Sequence, residues 1–243
     1  LMALITGLNI IITMIISTEN KNLTLKKLNH IDTMIEPIKD FFERFGLKMA
    51  AILLLIIASY RLTDIVMGPM ANPFYIDMGY TLSEIGYIVK VVALISTIIG
   101  VFVGGILIKK YGLYKSLLIG AFLVMITNLL FSYTAITDKN LTLLASIVAS
   151  DSLAAGIVGT VNITFLTSLV SQKYTGFQYA LLTSVMTFTG TIFKGFSGVI
   201  VESFQSLYGF NYGWMSFYIF TSCLALPAIL LIISKKGFFV NSD

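Results

Sequence analysis

Five ionisable side chains stand inside long apolar stretches of this 243-residue chain: Arg61, Asp64, Lys90, Asp151 and Lys194. A charge at the centre of a bilayer costs about 2.5–3.5 kcal/mol even on insertion scales, so each must pair or line water. Arg61 and Asp64 are three residues apart, which a helix places on one face, where they can pair directly. In a polar cavity, the cations Arg61, Lys90 and Lys194 would meet an anionic solute. Asp64 or Asp151 would then carry a coupling proton. The competing reading is structural, with Arg61–Asp64 and a lysine–Asp151 pair locking helices together.

Other chemistries are excluded by inventory. There is one cysteine, Cys223, and one histidine, His30, which lies in the most polar stretch. No disulfide framework, zinc site or Cys/His pair can be built from one of each. The glycine- and lysine-containing stretch 104–115 lacks the Gly-Lys-Ser/Thr that opens a phosphate-binding helix. No enzyme activity, cofactor or metal is expected.

The elements that position the five charges follow from composition. Hydrophobic residues make up 57% of the chain and charged residues 12%, and mean hydropathy is +0.91. Soluble domains are roughly 45–50% apolar and roughly 25% charged, so this is an all-α integral membrane protein. A membrane barrel would alternate apolar and polar residues in strands of about ten, which unbroken runs such as 49–59 and 94–108 do not. Residues 1–16 are apolar but short for a crossing and are expected to be the end of a truncated helix. Residues 17–46 form a polar loop in which Pro37 is expected to start a short amphipathic helix, with Ile38, Phe41, Phe42 and Phe45 at helical spacing. Six spans are expected at 47–76, 83–108, 113–133, 141–170, 177–201 and 214–234, as one bundle over 47–234, then a tail at 235–243. Gly68-Pro69 and Asn72-Pro73 mark the expected break in the first span.

Basic residues set the expected orientation. Lys21, Lys26, Lys27, Lys39, Arg44, Lys48, Lys109, Lys110, Lys115, Lys173, Lys235 and Lys236 flank one side and Lys139 alone the other. The positive-inside rule then puts the 17–46 loop and the C-terminus in the cytoplasm. Spans one and four each carry an acid, and spans two and five each a lysine, as a 3+3 repeat would give. At 1.5 Å per residue the five charges lie roughly 10–22 Å from the outer ends of their spans. A loop followed by six spans ending inside is the plan of the second half of a twelve-span transporter.

Other features are expected to serve packing. Gly100/Gly104, Gly156/Gly159 and Gly195/Gly198 are small-residue pairs that let helices approach. Asn128, Asn162 and Gln178 are expected to make interhelical hydrogen bonds.

Several stretches together resemble the AmpG muropeptide permeases of the major facilitator superfamily, in their C-terminal half. They are Tyr60-Arg61-Leu62-Thr63-Asp64, Asn72-Pro73-Phe74, Ser83-Glu84-Ile85-Gly86 with Lys90, the stretch 104–115, Ile136-Thr137-Asp138-Lys139, Tyr174-Thr175 with residues 178–182, and Gly213-Trp214 with Phe217-Tyr218. The resemblance implies proton-coupled import of anhydromuropeptides across a bacterial inner membrane. It matches Arg61 and Asp64 to basic and acidic family positions, Lys90 to a lysine, and Asp151 to a position that is usually Glu. Val89 and Thr191 depart from the Asn and Arg common in the family, and Lys194 supplies a cation one turn beyond Thr191. It further implies a partner, a six-span N-terminal half, since two halves normally enclose the site. The alternatives are an inert fragment of a split gene, a non-transporting membrane partner, or carriage of acetyl-CoA or another anionic solute.

Overall fold

The computed structural model describes residues 30–240, with side chains described for 34–239. The expectations for residues 1–29 lie outside the described residues. The chain divides into two units, residues 1–37 and 38–243; everything below concerns the second. Its described residues are helical throughout, without a strand.

Helix α1 spans His30–Tyr60, α2 Leu62–Asp77 and α3 Leu82–Tyr87, followed by a π-helical turn at Ile88–Val92. Then come α4 (Ala93–Thr134), α5 (Leu141–Leu169), α6 (Thr175–Gly195), α7 (Ser197–Tyr208), α8 (Phe210–Cys223), α9 (Leu226–Ser234) and α10 (Lys236–Val240). Five continuous stretches are long and apolar enough to cross a membrane: Met34–Asp77, Leu82–Thr134, Leu141–Leu169, Thr175–Tyr208 and Phe210–Ser234.

The 53-residue stretch Leu82–Thr134 folds back on itself at Gly112. Before that glycine, Gly100 packs on Leu153 and Gly156, and Gly104 on Ile157 and Thr160, so the chain runs alongside α5 in the same direction. After it, Gly120 packs on Val158 and Thr127 reaches Asp151, so it runs the opposite way. Gly112 makes this reversal in one residue (φ 76°, ψ 169°), a backbone region essentially closed to side chains. Gly209 repeats the device between α7 and α8 (φ 84°, ψ 169°). There a Cβ on Gly213 would meet Gln205 at 2.5 Å, so the missing side chain lets the two helices lie together.

Several sequence expectations shift. Pro37 falls inside α1 rather than at its start. The first span is not broken at its prolines, because α2 runs through both Pro69 and Pro73. The break comes earlier, at Arg61 (φ −106°, ψ 8°). The expected separator 202–213 is mostly helix, since Gly209 alone turns the chain. Gly159, Gly195 and Gly198 face open space and pack on nothing, unlike Gly100, Gly104 and Gly156.

Two apolar cores hold the bundle. One joins α1, α4, α5 and α9 around Leu53, Ile57, Leu117, Val161 and Ile232. The other joins α2, α4, α5 and α8 around an aromatic cluster in which Phe74 meets Phe131, Trp214 and Tyr218 edge-on at centroid distances of 4.9–6.2 Å. The charged residues of the next section lie in the stretch of chain between these cores.

Candidate functional site

The backbone breaks at Arg61, so that residue sits between two helices, and Asp64 falls in the first turn of α2. An acid there is favoured by the N-terminal end of the helix dipole. Arg61 Nη2 donates to Asp64 Oδ2 at 3.5 Å, the single ion pair of either residue among the described residues. The pair is long and one-pronged, where arginine and a carboxylate can make two short parallel bonds. Arg61 Nε is buried and donates to nothing, and the neighbouring Thr63 hydroxyl is likewise buried and without a partner. A buried unmade bond to a charged group is costly.

Asp151 lies midway along α5, where Thr127 Oγ1 of α4 donates to its Oδ1 at 3.0 Å. The structure brings Asp64 and Asp151 near enough for each to feel the other's charge. Tyr75 and Tyr218 also stand within the field of Asp151. The Tyr218 hydroxyl is buried with no partner. One residue from Thr127, Asn128 accepts from Thr221 Oγ1 at 2.8 Å, which ties α4 to α8.

Lys90 and Lys194 are placed differently. Neither forms an ion pair with Asp151, so the lysine–aspartate lock is not made. Both are exposed. Lys90 sits in the π-helical turn Ile88–Val92, an irregularity frequent at functional sites. Lys194 ends α6, just before the chain bends at Phe196, and Ser197 then bonds Val66 O of α2 at 2.8 Å. A cation in the last turn of a helix is favoured by the dipole. The stretches that carry these lysines bury 17% of their most apolar part, against 39–44% for the other three. They present the least covered faces of the bundle.

All three cations thus stand at helix irregularities, and both acids in regular helix. Thr63, Thr127 and Tyr218 were not singled out in the sequence. Thr127 beside Asn128 is the one sequence signal, a polar pair within an apolar span. Asn128, Asn162 and Gln178 do make hydrogen bonds between helices, Asn162 to Met186 at 3.4 Å and Gln178 to Asp40 and Arg44.

Residues 1–193 match the Major Facilitator Superfamily. The chain belongs to this superfamily. It is 33% identical over 224 residues to the protein named AmpG 4 of Rickettsia conorii, covering 90% of this chain and 51% of that one. The AmpG 4 protein of Rickettsia felis is 34% identical over 230 residues, covering 91% of this chain and 53% of the relative. The anhydromuropeptide permease of Escherichia coli is 30% identical over 202 residues, which are 82% of this chain and 39% of that protein. The chain spans about half the length of the curated relatives it matches, or less. As a superfamily member with apolar helices of membrane length, it is an integral membrane transporter protein, not an enzyme.

Proposed function

We propose that this chain is the C-terminal six-span bundle of a proton-coupled importer of anhydromuropeptides in a bacterial inner membrane. The relative named anhydromuropeptide permease supports the solute, and a peptide-bearing solute brings carboxylates that basic residues can hold. The observation that carries the reading is the unfilled hydrogen-bonding capacity of Arg61, whose Nε is buried and unpaired beside the long contact to Asp64. Arg61, Lys90 and Lys194 bind the anionic groups of the solute. Asp64 and Asp151 take up and release the coupling proton, each sensing the charge of the other.

Lys90 and Lys194 lie on the least covered faces. A cation turned to lipid is costly, so these faces meet a second six-span bundle across the solute cavity. The chain fold-back at Gly112 supports six crossings, at 47–77, 82–111, 113–134, 141–169, 175–208 and 210–234, with the C-terminus in the cytoplasm. The test is uptake of labelled anhydromuropeptide into proteoliposomes under an inward proton gradient, by this chain alone and with a six-span N-terminal half expressed beside it. Uptake only with the second bundle is expected. Folded protein that takes up nothing in either case overturns the reading in favour of an inert or purely structural chain.

A further inference from the structure

A second cavity lies far along the chain from the charged set, at the elbow where Gly46 (φ 71°, ψ 154°) divides α1. It has a volume of about 400 Å³ and is lined by Phe45, Gly46, Leu47, Lys48, Met49, Ile52 and Lys235. Two chain segments build it. Lys48 heads the apolar run of α1, and Lys235 ends the apolar helix α9. Both lysines therefore mark the border between an apolar helix and a polar segment, the level of lipid headgroups. Below them, Met49 and Ile52 give the cavity an apolar wall.

The charges in this cavity are uncompensated. Lys235 is half-buried, and neither lysine has an ion-pair partner among the described residues. The nearby acids of α1 are engaged elsewhere, Glu43 with Lys39 at 3.6 Å and Asp40 with Arg44 at 2.9 Å. Other lysines at helix ends have local partners: Lys139 pairs with Glu84, Lys110 stands over Tyr111 and Lys173 over Tyr174. Two like charges on one concave surface, one of them partly withdrawn from water, call for an anion. An anion that also covers an apolar wall has a headgroup and a tail.

The geometry points to a site for one anionic phospholipid, with its phosphate between Lys48 and Lys235 and an acyl chain along Met49 and Ile52. Basic pockets between membrane helices hold such headgroups. The site does not depend on which solute the protein carries. The occupant fastens the elbow of α1 to the end of α9, so lipid composition acts on the stability of that end of the bundle.

The test uses purified, delipidated chain titrated with phosphatidylglycerol or zwitterionic phosphatidylethanolamine and read by native mass spectrometry. One phosphatidylglycerol per chain is expected, held about tenfold or more tightly than phosphatidylethanolamine. The double variant Lys48→Gln/Lys235→Gln should lose that preference, while Lys109→Gln/Lys110→Gln at another helix end keeps it. Lys48→Arg/Lys235→Arg should also keep it, which separates lost charge from lost folding. Equal retention of phosphatidylglycerol by the Lys48→Gln/Lys235→Gln variant overturns the proposal. Displacement of the lipid by glycerol phosphate or inorganic phosphate at matching concentration overturns it too, because the site then reads a free phosphate.

Discussion

Arg44 and Arg61 are the two arginines of this chain, and each has an aspartate on its own helical stretch, Asp40 four residues before and Asp64 three residues after. Arg44 Nε meets Asp40 at 2.9 Å, and its Nη2 meets both Leu169 O and Gln178 Oε1 at 3.0 Å. Gln178 closes the circuit by donating to Asp40 at 2.9 Å and accepting from Ser171 N at 2.7 Å. Arg61 has one contact at 3.5 Å and a buried Nε without a partner. The same pair of residue types is thus saturated in one place and left open in the other. A saturated guanidinium joins helices and has little capacity left for a solute. An open one carries an energetic cost that folding alone does not explain, and a carboxylate or phosphate can fill it. What separates structural from functional charge here is the count of bonds made, not the residue type.

The largest effect expected from breaking this contrast comes at the saturated end. Gln178→Leu leaves Arg44 and Asp40 short of partners, and about 3 kcal/mol should be lost. Thermal unfolding in detergent should fall by roughly 6–10 °C. At the open end, Asp64→Asn and Asp151→Asn should each lower gradient-driven uptake about tenfold or more. Unfolding should stay within about 2 °C of the parent, and uptake down a solute gradient should persist. If driven uptake survives both changes, the two acids do not carry the proton. A smaller effect sharpens the comparison within the bundle. Asn128 and Thr221 are fully buried and bonded at 2.8 Å close to Asp151. A double-mutant cycle with Asn128→Leu and Thr221→Val should give a coupling of about 0.6–1 kcal/mol, without any change in uptake. Lost uptake would show that this pair also belongs to the open set.

The five intramembrane charges were legible because apolar surroundings make any ionisable residue conspicuous. Membrane helices and the close packing at Gly100, Gly104 and Gly156 followed from composition and spacing. The break in the first span was misplaced, because proline is the usual marker of a helix break and the structure carries α2 through Pro69 and Pro73. Arg61, where the backbone does depart from helix, has no local mark of that kind. The Arg44–Gln178 bond joins residues 134 apart in sequence; only its local half, Asp40 and Arg44 at a spacing of four, was visible in principle. The unpaired hydroxyls of Thr63 and Tyr218 were not legible either, since whether a hydroxyl finds a partner is decided by neighbouring helices.

The contrast between the two arginines is tested most directly by Arg44→Ala and Arg61→Ala made side by side. Each variant, assembled with the N-terminal bundle, is measured for unfolding temperature and for anhydromuropeptide affinity. Arg44→Ala should lower the unfolding temperature by several degrees, roughly 4–8 °C, and leave affinity within about twofold. Arg61→Ala should weaken affinity about tenfold or more and leave the unfolding temperature nearly unchanged. An Arg61→Ala variant that loses stability like Arg44→Ala and binds solute normally would contradict the account, and Arg61 would then be a structural arginine like the other.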